Sequence, residues 1–288
     1  MKHGILEIDH LLTYVADLGR AAQSYERLGF TLSPVSHITS MGIANRLVLL
    51  HAPTAGAGNF IELMGVADAA ALPEAMRAPL SGAQGIKSMV LATPDAGQAY
   101  RQLSEAGYGF APPSHVKREW ALPGEASVWP EFDVLLPIPA PLSFNLCQYY
   151  NLELYQRESW RRHPNTATSL LAAFAVGDAP ARQAAYFEQL FGARSRSMPD
   201  GGVAVSPAAV DLILYGPDDF AARFGQLPQG WDGSGLGYAG YRIGVADLAA
   251  LRACLQGNGV PCAGEADRVV VGPGHACGNV VEFVAWRP

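Results

Sequence analysis

Four times along its length the chain runs from an apolar, strand-like stretch to an aspartate, through an amphipathic segment, and on to a glycine. The stretches are "HLLTYVADLGRAAQSYERLGF", "SMVLATPDAGQAYRQLSEAGY", "LAAFAVGDAPARQAAYFEQLFG" and "GYRIGVADLAALRACLQGNGV". Asp17, Asp95, Asp178 and Asp247 precede Gly29, Gly107, Gly192 and Gly259 by 12, 12, 14 and 12 residues. An aspartate at a helix N-cap accepts hydrogen bonds from the first free N–H groups. A glycine ends a helix by taking the left-handed conformation. Between the first such pair, Leu18, Ala21, Ala22, Tyr25 and Leu28 recur at helical spacing and form one apolar stripe. Helices of about three turns do not stand alone in water, so each must pack on a sheet.

Strand-like runs follow every helix. After the first come "ANRLVLLHA" (44–52) and "NFIELMGV" (59–66), separated by the turn-rich "PTAGAG". After the second come the Trp120 region, "FDVLLPI" and "SFNLCQYY"; after the third, "GVAVS" and "VDLILYG"; after the fourth, "DRVVVG" and "NVVEFVAW". The repeat predicts four βαβββ modules, hence an α+β chain whose helices cover curved, mostly antiparallel sheets. The polar run "NLELYQRESWRRHPNTAT" (151–168) separates the modules into pairs. Residues 1–155 are expected to form one pair, 156–168 a linker and 169–288 the second pair. A turn-rich patch, "GPDDFAARFGQLPQGWDGSGLG", joins modules three and four.

Composition narrows the partners. A net charge of −6, with no basic run longer than "WRRHP", argues against nucleic acid, whose binding needs basic surface to displace counterions. No apolar stretch has the length to span a bilayer, and the N-terminus carries no charged-then-apolar leader, so no membrane partner is expected and the cytoplasm is the default address. Cys147, Cys254, Cys262 and Cys277 lack the two-residue spacing of a zinc or redox site and read as small hydrophobes.

Within "LEIDHLLTYVAD", strand alternation puts Ile8, Leu12 and Tyr14 on one face with His10. An imidazole there is either a core residue with a satisfied hydrogen bond or a ligand. Glu62, in the apolar "FIELM", is a stronger clue, because an unpaired carboxylate is costly to bury. Its plainer alternative is an ion pair with Arg46 from the preceding strand. Asn45 and Arg46 have the chemistry to recognise a carboxylate or phosphate, and Arg118 and His115 have weaker claims of the same kind. Trp120, Trp129, Phe144 and Tyr149 are candidates to line an apolar cup, and His163 reads as fixing the linker. "VGPGHACGNVVEF" precedes a strand rather than a helix, so it is no phosphate cradle.

A strand–helix–three-strand unit, paired to enclose a cup, resembles the vicinal oxygen chelate superfamily. That superfamily includes glyoxalase I, methylmalonyl-CoA epimerase, extradiol dioxygenases and the bleomycin- and fosfomycin-resistance proteins. More narrowly, "IDHLLTYVADL", "GIANRLVLL" ahead of "FIEL", and "RHPNTATSL" look like bacterial glyoxalase-like domain proteins. The resemblance implies two paired-module domains forming cups, with a divalent metal held by one ligand from the first and one from the last strand of each module. Seven residues before the aspartates lie His10, Ser88, Leu171 and Gly240. Matching "NFIE" with "NLCQ" and "NVVE" gives Glu62, Gln148 and Glu282 on the last strands, with the third module's counterpart near Ile213.

The implied metal ligands are therefore His10, Glu62 and Gln148, with Ser88 departing from the ligand pattern and the C-terminal pair keeping only Glu282. A buried amide bonded to backbone accounts for Gln148 about as well. Such a mixed set suits zinc, nickel, iron, manganese or cobalt. Open positions on the ion would take a substrate with adjacent oxygens, and Glu62 alternatively detaches to act as base. The implied function is a metal-dependent lyase or isomerase acting on a small oxygenated substrate in the N-terminal cup, with Asn45, Arg46, Ser88 and Arg118 as substrate-binding residues. Dioxygenase chemistry fits less well, because Leu171 and Gly240 supply no imidazole. Ser88 and the stripped second half favour a second implication, a metal-free cup that sequesters a small molecule as the resistance proteins do. A third possibility, compatible with either, is that the C-terminal pair serves only for packing or dimerisation, as in a homodimer.

Overall fold

Each aspartate–glycine pair brackets a helix in the computed structural model, which describes residues 2–228 and 231–287. The helices are α1 (Leu18–Arg27), α3 (Ala96–Glu105), α5 (Pro180–Phe191) and α7 (Leu248–Gly257). Asp17, Asp95 and Asp247 accept from backbone N–H groups of the first turns of α1, α3 and α7. Asp178 does not. Pro180 starts α5 two residues after it, Ala179 is the N-cap, and the Asp178 carboxylate accepts instead from Gln183 Nε2 at 2.8 Å. The displaced start accounts for one of the two extra residues of the third unit, and the longer α5 for the other. Gly29, Gly107, Gly192 and Gly259 all have φ between 62° and 87°, the left-handed region.

The strands form two mixed sheets, one per module pair. Modules one and two supply β1 (Glu7–Tyr14), β2 (Ser36–Ile38), β3 (Ile43–Leu49), β4 (Phe60–Val66), β5 (Gly85–Ala92), β6 (Ser114–Lys117), β7 (Glu131–Leu135) and β8 (Phe144–Tyr149). Their order is β2-β3-β4-β1-β5-β8-β7-β6, antiparallel throughout except β1 beside β4 and β5 beside β8. The second sheet comprises β9 (Ala167–Gly177), β10 (Arg196–Ser197), β11 (Val203–Val205), β12 (Asp211–Tyr215), β13 (Leu236–Val245), β14 (Arg268–Val271) and β15 (Val280–Ala285), in the order β10-β11-β12-β9-β13-β15-β14. Module four thus has two full strands after its helix, with a single Ala263–Val270 bridge where a third would stand. Three short helices lie outside the repeat: α2 (Glu74–Arg77), α4 (Glu158–Arg161) in the polar connection, and α6 (Pro217–Phe224) in the patch between modules three and four. Residues 229 and 230 of that patch lie outside the described residues.

The second sheet begins at Ala167, inside the segment expected to be linker. The two halves bury one continuous core, in which Ile8, Leu11 and Tyr25 meet Leu170, Phe187, Tyr241 and Phe283. Tyr25 and Tyr241 hydrogen-bond across it at 2.9 Å between hydroxyls. His163 fixes the connection against the first half: its Nδ1 accepts from Thr31 N–H at 3.0 Å and its Nε2 lies 2.9 Å from the Leu49 carbonyl oxygen. The first sheet curls until its edges approach, where Trp120 Nε1 donates to Pro34 O at 3.3 Å and Arg118 donates to the Ser36 hydroxyl. Leu72, Met76 and Leu80, from the segment after β4, close over the concave face.

Candidate functional site

One irregularity in β1 decides how the cup is armed. The pairing with β5 shifts between Ile8 and His10, so Asp9 is a bulge residue. Ile8 therefore packs with Leu11 in the shared core, while His10, Leu12 and Tyr14 stay on the concave side. The expectation that Ile8 shares a face with His10 fails because one inserted residue inverts the alternation upstream of it.

Asp9, unremarked in the sequence, is fully buried and central. Its carboxylate accepts from Gly58 N–H and from the Tyr149 hydroxyl (3.1 Å), and lies 2.7 Å from His10 Nδ1. With Nδ1 engaged there, His10 presents Nε2 to Glu62 Oε2 at 3.5 Å. The imidazole stacks on Phe60, centroids 4.0 Å apart and planes within 14°. Asn45 Nδ2 donates to Glu62 Oε1 at 2.5 Å, and Asn45 Oδ1 has no partner. Burial disfavours the charged imidazole, but the hydrogen bonds to Asp9 and Glu62 outweigh it and hold the His10 pKa above the ordinary histidine value.

The sheet registers identify equivalent positions in the four modules. Across β1 and β5, His10 faces Val90 and Leu12 faces Ser88; across β9 and β13, Ala172 faces Arg242 and Phe174 faces Gly240. His10, Ser88, Ala172 and Gly240 are thus the equivalent first-strand positions. Leu171 is displaced because the β9 register skips it. On the last strands, Glu62 faces Leu12, Asn145 faces Val90, Ile213 faces Phe174 and Glu282 faces Arg242. Asn145, not Gln148, is the counterpart of Glu62. The two are three residues apart, an odd number, so they leave β8 on opposite faces. Asn145 lines the cup, whereas Gln148 Oε1 accepts from Ala96 N–H at 2.8 Å, at the start of α3. Ser88 is buried beneath the cup, its hydroxyl donating to Asn145 Oδ1 at 2.8 Å.

Arg46 is also outside. It shares the helix-facing side of β3, where Nε donates to Ser33 O and Nη1 meets Glu26 at 3.4 Å. Glu62 is therefore partnered by Asn45 and His10, not by Arg46. Arg118 enters the cup. His115 and Trp129 are exposed, and Phe144 belongs to the shared core.

The cavity, about 630 Å³ when the open solvent at its mouth is counted, is lined from β1, β3, β4, β5, β7 and β8. Its walls are chiefly aliphatic and aromatic, with Met76 as part of the cover. Among the described residues no three His, Cys, Asp or Glu side chains converge as a metal cluster. The donor set still suits one divalent ion: an imidazole nitrogen and a carboxylate oxygen already face each other, and the Asn145 amide oxygen keeps a second lone pair. Asp9 supplies the carboxylate behind the imidazole that fixes a metal-binding ring.

The second sheet's concave face is filled instead. Phe220 and Phe224 of α6 pack there against Phe174 and Tyr215. Glu282, fully buried, meets Arg223 Nη2 at 2.5 Å and Arg242 Nε at 2.6 Å, with Arg268 Nη1 at 3.6 Å. Arg223 also meets Asp200 at 2.8 Å. The carboxylate that corresponds to Glu62 is thus consumed by guanidinium groups.

A family model described as "Glyoxalase-like domain" matches residues 8–191, spanning the first pair and the start of module three. No curated protein matches the chain significantly. Among solved structures, a hypothetical protein from Staphylococcus aureus superposes with a TM-score of 0.68 at 12% identity, over 96% of this chain and 98% of that one. A mutant of 4-hydroxymandelate synthase from Streptomyces coelicolor superposes with a TM-score of 0.55 at 11% identity, over 99% of this chain and 95% of that one. A fusion protein of a xylose isomerase-like TIM barrel and 4-hydroxyphenylpyruvate dioxygenase gives 0.60 at 13% identity, over 99% of this chain and 49% of that one. At such identities the likeness is one of fold.

Proposed function

This chain belongs to the glyoxalase-like domain family, and on that premise we propose that its N-terminal cup is the active site of a metal-dependent enzyme of lyase or isomerase type, acting on a small oxygenated substrate. The observation that carries the reading is the approach of His10 Nε2 to Glu62 Oε2 at 3.5 Å inside a chiefly apolar cavity. Nothing in core packing calls for an aspartate, a histidine and a glutamate in line on adjacent strands. His10, Glu62 and Asn145 are the residues that would hold the ion. Bound there, a divalent metal supplies Lewis acidity that polarises a carbonyl and lowers the cost of an adjacent negative charge.

The chain's own groups do the rest. Asp9 keeps the imidazole in one tautomer and one orientation. Asn45 pins Glu62 Oε1, leaving Oε2 either to ligate the ion or, detached from it, to take a proton from a substrate carbon and return it. The apolar walls and the Leu72–Leu80 cover exclude water, which strengthens each of these interactions.

Protein purified without chelator, then analysed for metal and for melting temperature on adding zinc, nickel, iron(II), manganese or cobalt, tests the proposal. The wild type is expected to bind close to one ion per chain, and His10→Ala and Glu62→Ala to bind little. A wild type that binds no ion and gains no stability from any of the five would leave the metal-free sequestering cup, which Ser88 at a ligand position favours. Undiminished binding in both variants would put the ion elsewhere.

A further inference from the structure

The cup that holds His10 and Glu62 also holds a cation that, among the described residues, forms no ion pair. Arg118, just past β6, is 7% exposed and lines the cavity. Its Nη1 donates to the Ser36 hydroxyl, its Nη2 lies 3.5 Å from the Tyr155 hydroxyl, and its guanidinium carbon sits 5.2 Å from the Trp120 ring centroid. Its Nε has no partner. Among the described residues no carboxylate oxygen comes within 4 Å of its guanidinium nitrogens, whereas Arg223, Arg242 and Arg268 gather on Glu282 and Arg46 meets Glu26. A buried guanidinium without an anion is unfavourable, and the chain elsewhere provides one.

An aromatic wall connects this cation to the reacting pair. The His10 ring stacks on Phe60, Phe60 lies parallel to Tyr155 at 6.3 Å, and the Tyr155 hydroxyl touches Arg118. The two polar ends of the cup are thus separated by apolar surface. Resting on the reading of the cup as an active site, we infer that its substrate is a small monocarboxylate, with the carboxylate received by Arg118 and an apolar, ring-sized segment between it and the carbon worked on beside His10 and Glu62. A planar fork with one charge suits a carboxylate. A phosphate dianion is disfavoured, because its second charge would meet only neutral hydroxyls and apolar walls.

The experiment is calorimetric titration of the protein, with and without added divalent metal, with 3-phenylpropanoate, 4-phenylbutanoate and 5-phenylpentanoate, with the corresponding primary alcohols, and with phenyl phosphate. Wild type is expected to bind at least one carboxylate tenfold or more tightly than its alcohol and than phenyl phosphate. Arg118→Met is expected to lose that preference while binding the alcohol as before. Arg118→Lys keeps the charge without the planar fork and retains part of the preference, so it decides the matter if the methionine variant does not fold. A wild type indifferent to the carboxylate, a preference that survives both substitutions, or tighter binding of phenyl phosphate would overturn the assignment. The two proposals fail separately. Carboxylate preference without metal at His10 and Glu62 removes the enzyme reading alone; metal at those residues without carboxylate preference removes the substrate class alone.

Discussion

Acid should loosen this protein through His163 before its carboxylates titrate. The His163 ring is buried in the connection against the first half, with Nδ1 accepting from Thr31 N–H and Nε2 against the Leu49 carbonyl. That pattern needs the neutral ring protonated on Nε2; a second proton on Nδ1 would face the Thr31 N–H. Burial, only partly opposed by the Leu49 hydrogen bond, lowers its pKa from 6.5 to about 4. The unfolded chain therefore binds a proton that the folded chain refuses between those values, so this contribution to stability is complete above pH 6.5 and shrinks as pH falls toward 4. Each pKa unit corresponds to about 1.4 kcal/mol, giving a loss of about 2 kcal/mol by pH 5 and about 3 kcal/mol by pH 4. Urea denaturation of wild type and His163→Gln between pH 8 and pH 4.5 isolates the effect, because subtraction cancels every other titrating group. The wild-type advantage should shrink by about 2 kcal/mol from pH 7 to pH 5. A difference that stays flat with pH would mean that the ring is not held neutral, and the reasoning would be wrong.

The ion cluster of the second half makes a prediction of opposite kind. Glu282→Gln leaves Arg223, Arg242 and Arg268 facing one another in a buried site and should cost about 3–5 kcal/mol in urea or thermal unfolding; a loss below about 1 kcal/mol would show that the cluster is solvated. The two amides of β8 should separate cleanly. Gln148→Ala removes an acceptor at the start of α3, should cost about 1 kcal/mol and should leave metal affinity unchanged. Asn145→Ala should weaken metal binding instead, and the reverse pattern would restore Gln148 to the site. Asp9→Asn should weaken metal binding about 10- to 100-fold by releasing the His10 ring, and a titration showing no change would make Asp9 purely structural.

The fold was legible because its signals are local. An N-cap aspartate and a left-handed glycine act on the nearest few backbone groups, so four such pairs mark four helices whatever the surroundings, and only Pro180 displaced one of them. His10 and Glu62 were legible as polar residues on apolar strands. Asp9 was not, because a bulge comes from the pairing of β1 with β5, more than seventy residues apart. Asn145 was missed for a related reason. The resemblance of "NLCQ" to "NFIE" is a matter of letters, while register is set by which residues pair across the sheet. The plugging of the second cup by α6 was likewise hidden, since "GPDDFAARFG" reads as a turn-rich joint until Phe220 and Phe224 find a concave sheet to fill. Arg118 stood in the sequence as one weak candidate among several. Its burial without a carboxylate sets it apart.

The central claim, that the first cup works and the second is structural, is tested most directly by anomalous scattering from crystals grown with manganese or zinc. The account predicts one strong peak per chain between His10 Nε2, the Glu62 carboxylate and the Asn145 amide, and none at Glu282. A peak at Glu282, or none in the N-terminal cup at saturating metal, would contradict it.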